Sequence, residues 1–541
     1  MTVQVDGTLG INKVQDGCIT GSNLVPSINL PGAPTAATAP AGTNNKQLAT
    51  TEFVAAATAA NYSAMDAKKA DKSYIDSLNA QPITYVSKSG FNSLGMLING
   101  KLYTTAGNNS AFGNTTTGRG LGGTLAQFGM DNLKQVVFPE NTPIQKVGGF
   151  VGSFAYALMT NGNLYTWGYN TNGQCGLGHT NPVGFPTLAA TGVVDVYDHP
   201  SNSGYTIDNT RLFIKKSDGY IYGAGYNGYG ALGLGDTNNR NTFTQIISLG
   251  TNVISLWNMG SYLGCTVVQK ADYTIWVAGY NGYGQLGNGN TNTQSAFLEV
   301  TTAWGGGAGK LLKKVSGGFG YYNTAASSYT SLGMLLDDGT TTIFKTCGSN
   351  CNGQLGIGNT TDASVPVTPN VGTGRIADIA IFGALPTTQV LKADGTLYAF
   401  GRSDEGAVGN NSTGEVYSPV VVATGVTALL TDGANSHTYG YQVQSAVLKS
   451  DGLYMCGYNA DGECGVGNTA ASITVLSKTL LPADFTVKLL GYYTTTSNGR
   501  IYVAVSTDNR VYTWGYNGQY GVSTSSSNNV ITPANVIIPR G

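Results

Sequence analysis

The stretch LYTWGYNTNGQCGLG (Leu164–Gly178) decides the fold, because it does not occur once. IYGAGYNGYGALGLG begins at Ile221 and IWVAGYNGYGQLGNG at Ile275. Each copy joins a short apolar strand to a glycine-rich loop. Just before each strand lies a turn dipeptide, and eight are found: Asn99-Gly100, Asn161-Gly162, Asp218-Gly219, Asp272-Tyr273, Asp338-Gly339, Asp394-Gly395, Asp451-Gly452 and Asp508-Asn509. Asn-Gly and Asp-Gly supply the positive φ angles that two-residue hairpin turns need. A glycine closes the strand after each turn: Gly107, Gly168, Gly225, Gly279, Gly348, Gly401, Gly457 and Gly515. Their spacing of 53–69 residues signals a solenoid or a propeller. Roughly four short strands per period match a propeller blade. The prediction is therefore all-β, a seven- or eight-bladed β-propeller, with eight favoured by the hairpin count. In a closed ring of this kind the two chain ends are expected to share a blade.

The pattern, roughly DGxLYxWGxNxxGQLGxG, is nearly intact in residues 161–178, 218–235, 338–358 and 451–467. It resembles the regulator of chromosome condensation repeat family, over about 450 residues. The resemblance implies a propeller, seven-bladed in the family, where this chain counts eight hairpins. Nucleotide exchange on a small nuclear GTPase and nucleosome binding, known in that family, are not carried over, because fold does not set function.

The copies explain the cysteines. Cys347 and Cys456 stand where Trp167, Phe400 and Trp514 stand elsewhere, and Cys175 and Cys464 where Leu232, Leu286 and Leu355 stand. These four read as small core hydrophobes. With seven cysteines, no CxxC pair and three scattered histidines (His179, His199, His437), neither a disulfide framework nor a zinc site is supported. No cofactor is expected.

Composition narrows the function. Lys plus Arg number 28 against 29 Asp plus Glu, a net charge of −1, so there is no bulk field for nucleic acid or anionic lipid. Glycine, 77 of 541 residues, is about twice the ~7% norm, and Tyr is abundant at 32, which is turn-rich β composition. No apolar run reaches the ~18 residues of a membrane span, so no membrane insertion is expected. No carboxylate pair or Ser–His–Asp set is marked, so the reading is not an enzyme.

The first eighty residues differ. Residues 1–50 are non-globular, with PGAPTAATAPAGTN at Pro31–Asn44. Residues 51–80 read as a helical stalk, with Phe53, Ala57, Ala60, Ala64, Ala67, Asp71, Tyr74 and Leu78 at heptad spacing. The propeller then runs from 81 to 541. TLGINKVQDG (Thr8–Gly17) and the later LATTEFV (Leu48–Val54) resemble the amino-terminal region of bacteriophage tail-fibre proteins. That resemblance implies a virion part in the tail fibre or baseplate. It would be a homotrimer, bound to tail or baseplate proteins through residues 1–80. The propeller loops would bind a host-surface glycan or outer-membrane receptor. A polysaccharide depolymerase and a purely architectural tail component are the alternatives.

The candidate binding residues are tyrosines. Tyr169, Tyr226, Tyr280, Tyr458 and Tyr516 each follow a strand-closing glycine, and Tyr229 and Tyr283 extend two of the loops. Equivalent loops of a propeller lie on one side, so these seven are expected to ring one rim. Tyrosine is amphipathic and has few rotamers, which suits recognition.

Overall fold

The computed structural model describes residues 82–87, 94–105, 133–151, 154–198, 210–259, 263–321, 328–383, 386–431, 443–494, 499–517 and 528–536. The extended segment 1–50, the stalk 51–80, Cys18, His199, His437 and the glycine-rich loop of the first repeat lie outside the described residues.

Among the described residues thirty-two strands form eight four-stranded antiparallel sheets, each a simple meander. Blades 1 to 8 span residues 83–135, 144–190, 193–245, 253–299, 311–367, 376–423, 426–478 and 487–535. Eight blades are therefore the answer to the count. The first strands of neighbouring blades touch, as in the ion pairs Lys146–Asp195 (2.9 Å) and Lys314–Asp378 (2.8 Å), so they are innermost. Second strands such as Phe154–Met159 and Thr387–Lys392 are buried at every position, as a sheet between two sheets requires. The prolines Pro366, Pro419 and Pro533 all fall in fourth strands. There, at the sheet edge, a missing N–H does least harm.

The ring closes differently from expectation. The ends do not share a blade, because the chain enters on an innermost strand and completes each sheet before starting the next. Blades 8 and 1 instead meet side by side. Lys488 Nζ donates to the Ile83 carbonyl (2.9 Å), the Ile83 N–H donates to Asn509 Oδ1 (3.1 Å), and Ile83, Met96, Ile501 and Val503 share one core.

The hairpins also differ. Blade 1 has a two-residue turn with both Asn99 and Gly100 at positive φ, and blade 7 has a two-residue turn, Ser450-Asp451, with neither residue at positive φ. In blades 2, 3, 4, 6 and 8 the loop has three residues. In blade 2, for example, Gly162 N–H bonds Met159 O (2.9 Å) and Met159 N–H bonds Asn163 O (2.9 Å). This is a type I turn followed by one left-handed residue, Gly162, Gly219 or Gly395, or Tyr273 and Asn509 in the same place.

Because each sheet is a meander, the loops between first and second strands and between third and fourth strands lie on one face. The hairpin turns lie on the other. The repeated motif thus decorates a single face.

Candidate functional site

The motif loop is built around a buried asparagine. Asn170, Asn227, Asn281, Asn350 and Asn459 are fully enclosed. Each Oδ1 accepts the N–H five residues on: Cys175 (2.8 Å), Leu232 (2.8 Å), Leu286 (2.9 Å), Leu355 (2.9 Å) and Cys464 (2.9 Å). Each Nδ2 donates to the carbonyl nine residues on, at 2.8–3.0 Å. In blade 6 Ser403 makes the second of these contacts, its Oγ donating to Ser412 O (3.1 Å). One side chain therefore holds both ends of a loop that has no secondary structure of its own.

The same loop clamps the next blade. Gly178, Gly235, Gly289, Gly358, Asn411 and Gly467 donate their N–H to Asn241, Ser295, Ser364, Tyr417, Thr474 and Ile531, at 2.7–3.0 Å. All six acceptors lie on or beside the following blade's fourth strand. Leu232, Leu286, Leu355, Cys175 and Cys464 sit beneath the loops, fully buried. The core reading of the cysteines holds: burial pushes the Cys175, Cys265, Cys347 and Cys456 thiols up to about 12. Cys351 alone among the described cysteines is half-buried.

On this scaffold the seven predicted tyrosines are all half-buried and all lie on the loop face. Their backbones are fixed: Tyr226, Tyr280, Tyr458 and Tyr516 donate their N–H to Thr210, Gly264, Val443 and Arg500 at 2.8–3.1 Å. Tyr226 folds over Gly228 and Tyr280 over Gly282, where a Cβ would collide with each ring. Tyr229 of blade 3 meets Tyr280 of blade 4 edge-to-face at 5.1 Å, and Tyr280 meets Tyr283 at 6.4 Å. The structure thus joins Tyr229, Tyr280 and Tyr283 into one aromatic series across two blades. Tyr169, Tyr458 and Tyr516 hold the matching place in blades 2, 7 and 8.

His179 is exposed, and its Nδ1 accepts the Asn181 N–H (3.2 Å). Among the described residues no three metal-ligating side chains gather. The loops hold one residue that sequence reasoning passed over. Glu463 is fully buried, and burial pushes its carboxyl up to about 8. Its signal was present, as the acid in a slot that reads Gln174, Gln285 and Gln354 in other copies.

Residues 161–196 match the model of the regulator of chromosome condensation (RCC1) repeat. The chain carries an RCC1-type repeat in an eight-bladed β-propeller. It is 26% identical over 284 residues to the ultraviolet-B receptor UVR8 of Arabidopsis thaliana, covering 52% of this chain and 58% of the receptor. It is 26% identical over 343 residues to the human E3 ubiquitin-protein ligase HERC2, covering 61% of this chain and 6% of the ligase. This chain thus spans less than two thirds of the length of either relative. Among solved structures, human WBSCR16 aligns with a TM-score of 0.46 at 18% identity, covering 65% of this chain and 85% of that one.

These relatives correct the tail-fibre expectation. The sequences that match are a plant receptor and a human ligase, not virion proteins. The virion function, the tail or baseplate location and the tail and host-glycan partners rested on the amino-terminal resemblance, and the trimer on that resemblance together with the heptad seam; they fall with it, as do the depolymerase and architectural alternatives. The physical reason is the nature of the two signals. Ala/Thr/Pro-rich sequence answers to few packing constraints and recurs cheaply. The repeat answers to buried slots that must be filled in register in blade after blade.

Proposed function

We propose that this chain is a binding and regulatory propeller, and that its tyrosine-lined loop face contacts a partner protein. The observation that supports this most directly is the series Tyr229–Tyr280–Tyr283, which spans two blades on loops fixed by buried asparagines. Half-exposed rings on a rigid support contact a partner with little loss of side-chain or loop freedom. The relatives agree in kind, since their names describe a receptor and, for a third at 27% identity over 177 residues, a GTPase regulator in humans. Catalysis is not part of the reading.

The test is site-specific photo-crosslinking in cells that make the protein. A photoreactive residue is placed at Tyr229, Tyr283 or Tyr458, and at Asn161 or Thr340 on the hairpin face as controls. Discrete protein adducts from the tyrosine positions are expected. Adducts from the hairpin face alone, or from neither, overturn the proposal.

A further inference from the structure

At six blade junctions among the described residues two positions meet beside the glycine that closes a third strand. One comes from the preceding blade's loop, the other from the start of the second strand, one residue before the partner of that glycine. A Cβ built on Gly225 would lie 3.1 Å from Gln174 Cβ and 2.5 Å from the Thr210 carbonyl oxygen. One built on Gly348 would lie 2.9 Å from Gln285 Cβ and would collide with the Thr330 carbonyl. Ala231 and Gly264 meet in the same way at Gly279, and Gln354 and Pro386 at Gly401. The register of the repeat places Ala407 with Val443, and Glu463 with Arg500, at two further junctions.

The two positions track each other in polarity. Gln stands with Thr twice, Ala with Gly, Ala with Val, and Glu with Arg; only Gln354–Pro386 is mixed. A pair of positions that were merely filling space would have no reason to match in this way.

In the two Gln–Thr junctions the glutamine oxygen is used locally, accepting the N–H of Asn172 (3.0 Å) or Tyr283 (3.2 Å). Its Nε2, and the Oγ1 of Thr210 or Thr330, are enclosed and have no hydrogen-bond partner among the described residues. Ser331 Oγ, beside Thr330, is in the same condition. Enclosed amide and hydroxyl groups left this way cost about 1–3 kcal/mol each, so native folds rarely carry them. A donor and one or two hydroxyls held together are the partners that a buried water takes, typically two to four of them.

We propose that the Gln174–Thr210 and Gln285–Thr330 junctions are internal water-binding sites, each water accepting from the glutamine Nε2 and bridging to the threonine Oγ1. Ser331 completes the second site. The Ala–Gly and Ala–Val junctions are dry. At the seventh junction Glu463 Oε2 accepts the Asp461 N–H (3.0 Å), as the glutamine oxygens do, and Arg500 takes the threonine's place. There an acid and an arginine stand where the neutral pair stands elsewhere.

A crystal structure of the full chain, at a resolution that shows ordered solvent, reads this directly. Expected is a water within about 3.2 Å of both Gln285 Nε2 and Thr330 Oγ1, another at Gln174 and Thr210, and none at Ala231–Gly264. Thermal unfolding gives a second readout through Gln285→Met, Thr330→Val and the double variant. Each single change strands the other partner of the water. The double change leaves Ser331 Oγ as the water's one named partner, too few to hold it, so the water is lost once and the fall in midpoint is expected to be clearly less than the sum of the singles. Junctions without water, or additive losses in the cycle, overturn the proposal.

Discussion

Trp514 donates from Nε1 to the carbonyl of Glu463 at 2.7 Å, from the third strand of blade 8 to the loop of blade 7. Trp304 does the same for Leu286 at 3.1 Å, but from a four-residue helix, Thr301–Trp304, that follows blade 4. In both, a large ring lies on the glycine of the loop, Gly465 or Gly287. Phe243, Phe297 and Phe400 cover Gly176, Gly233 and Gly356 likewise. The loop glycines are therefore contact surfaces as well as turn formers.

Two glycines of one loop separate those roles. Gly233 (φ +69°) and Gly235 (φ +88°) both occupy the left-handed region. A Cβ on Gly233 would run into the Phe297 ring, whereas on Gly235 it would meet nothing within 4 Å. Gly235→Ala is expected to cost the conformational strain alone, about 1–2 kcal/mol. Gly233→Ala adds overpacking of about 1–3 kcal/mol. Denaturant unfolding of the two variants checks the order, and equal losses would mean that the ring gives way freely.

How much of this was legible in the sequence follows from where each constraint resides. The hairpin dipeptides and the closing glycines act within about twenty residues, so the eight blades and their loops could be read from spacing. The junction partners could not. Phe243 and Phe297 come from fourth strands, Phe400 and Trp514 from third strands, and Trp304 from a helix. No fixed offset links them to the glycines that they cover. Ring closure was misread for a related reason: first strands such as Ile83–Val86 and Val487–Thr494 carry little motif, so the phase of the blade against the repeat was invisible. That the tyrosine loops share one face follows from the meander, whereas the contact of Tyr229 with Tyr280 depends on inter-blade packing. The amino-terminal resemblance misled because it had no packing behind it.

The buried asparagines bear more of the loop than their small size suggests. Asn281 Oδ1 accepts the Leu286 N–H, while its Nδ2 donates to Asn290 O (2.9 Å) and Asn292 O (3.1 Å). Asn281→Leu keeps the volume and removes these three and a fourth, from Nδ2 to Asn288 Oδ1 (3.0 Å), for an expected loss of roughly 3 kcal/mol. Asn281→Ser is expected to cost less, since blade 6 closes its loop with Ser403. Urea midpoints for the two variants test this, and a leucine variant as stable as the serine one would contradict it.

Thiol labelling probes the cysteines without mutation. Cys175, Cys265, Cys347, Cys456 and Cys464 are buried, with thiols pushed up by loss of solvent, and are expected to resist alkylation until the ring unfolds. Cys351, half-buried beside Ser349 and Asn352, is expected to label first of these six. Mass spectrometry of a timed alkylation reads the order. Early modification of Cys464 would mean that the seam between blades 7 and 8 opens in the native state.

That seam should also respond to pH. Burial raises the Glu463 carboxyl to about 8 from an ordinary 4.5, with Asp461 adding to the rise and Arg500 opposing it. A carboxyl whose folded value is raised contributes its stability in full below the unfolded value. That contribution is lost as pH rises toward and through the folded value. Stability is therefore expected to decline from about pH 5 to about pH 8 by a few kcal/mol, the direction opposite to that of a salt-bridged surface carboxylate. Glu463→Gln restores the residue found at Gln174, Gln285 and Gln354 and removes the titrating proton. The variant is expected to flatten this limb of the pH profile, measured by urea unfolding at pH 5, 6.5 and 8, and to gain most at the highest pH. A variant with the same slope as the parent would assign the effect to another group. A parent without the decline would show that Arg500 keeps Glu463 ionised in the fold.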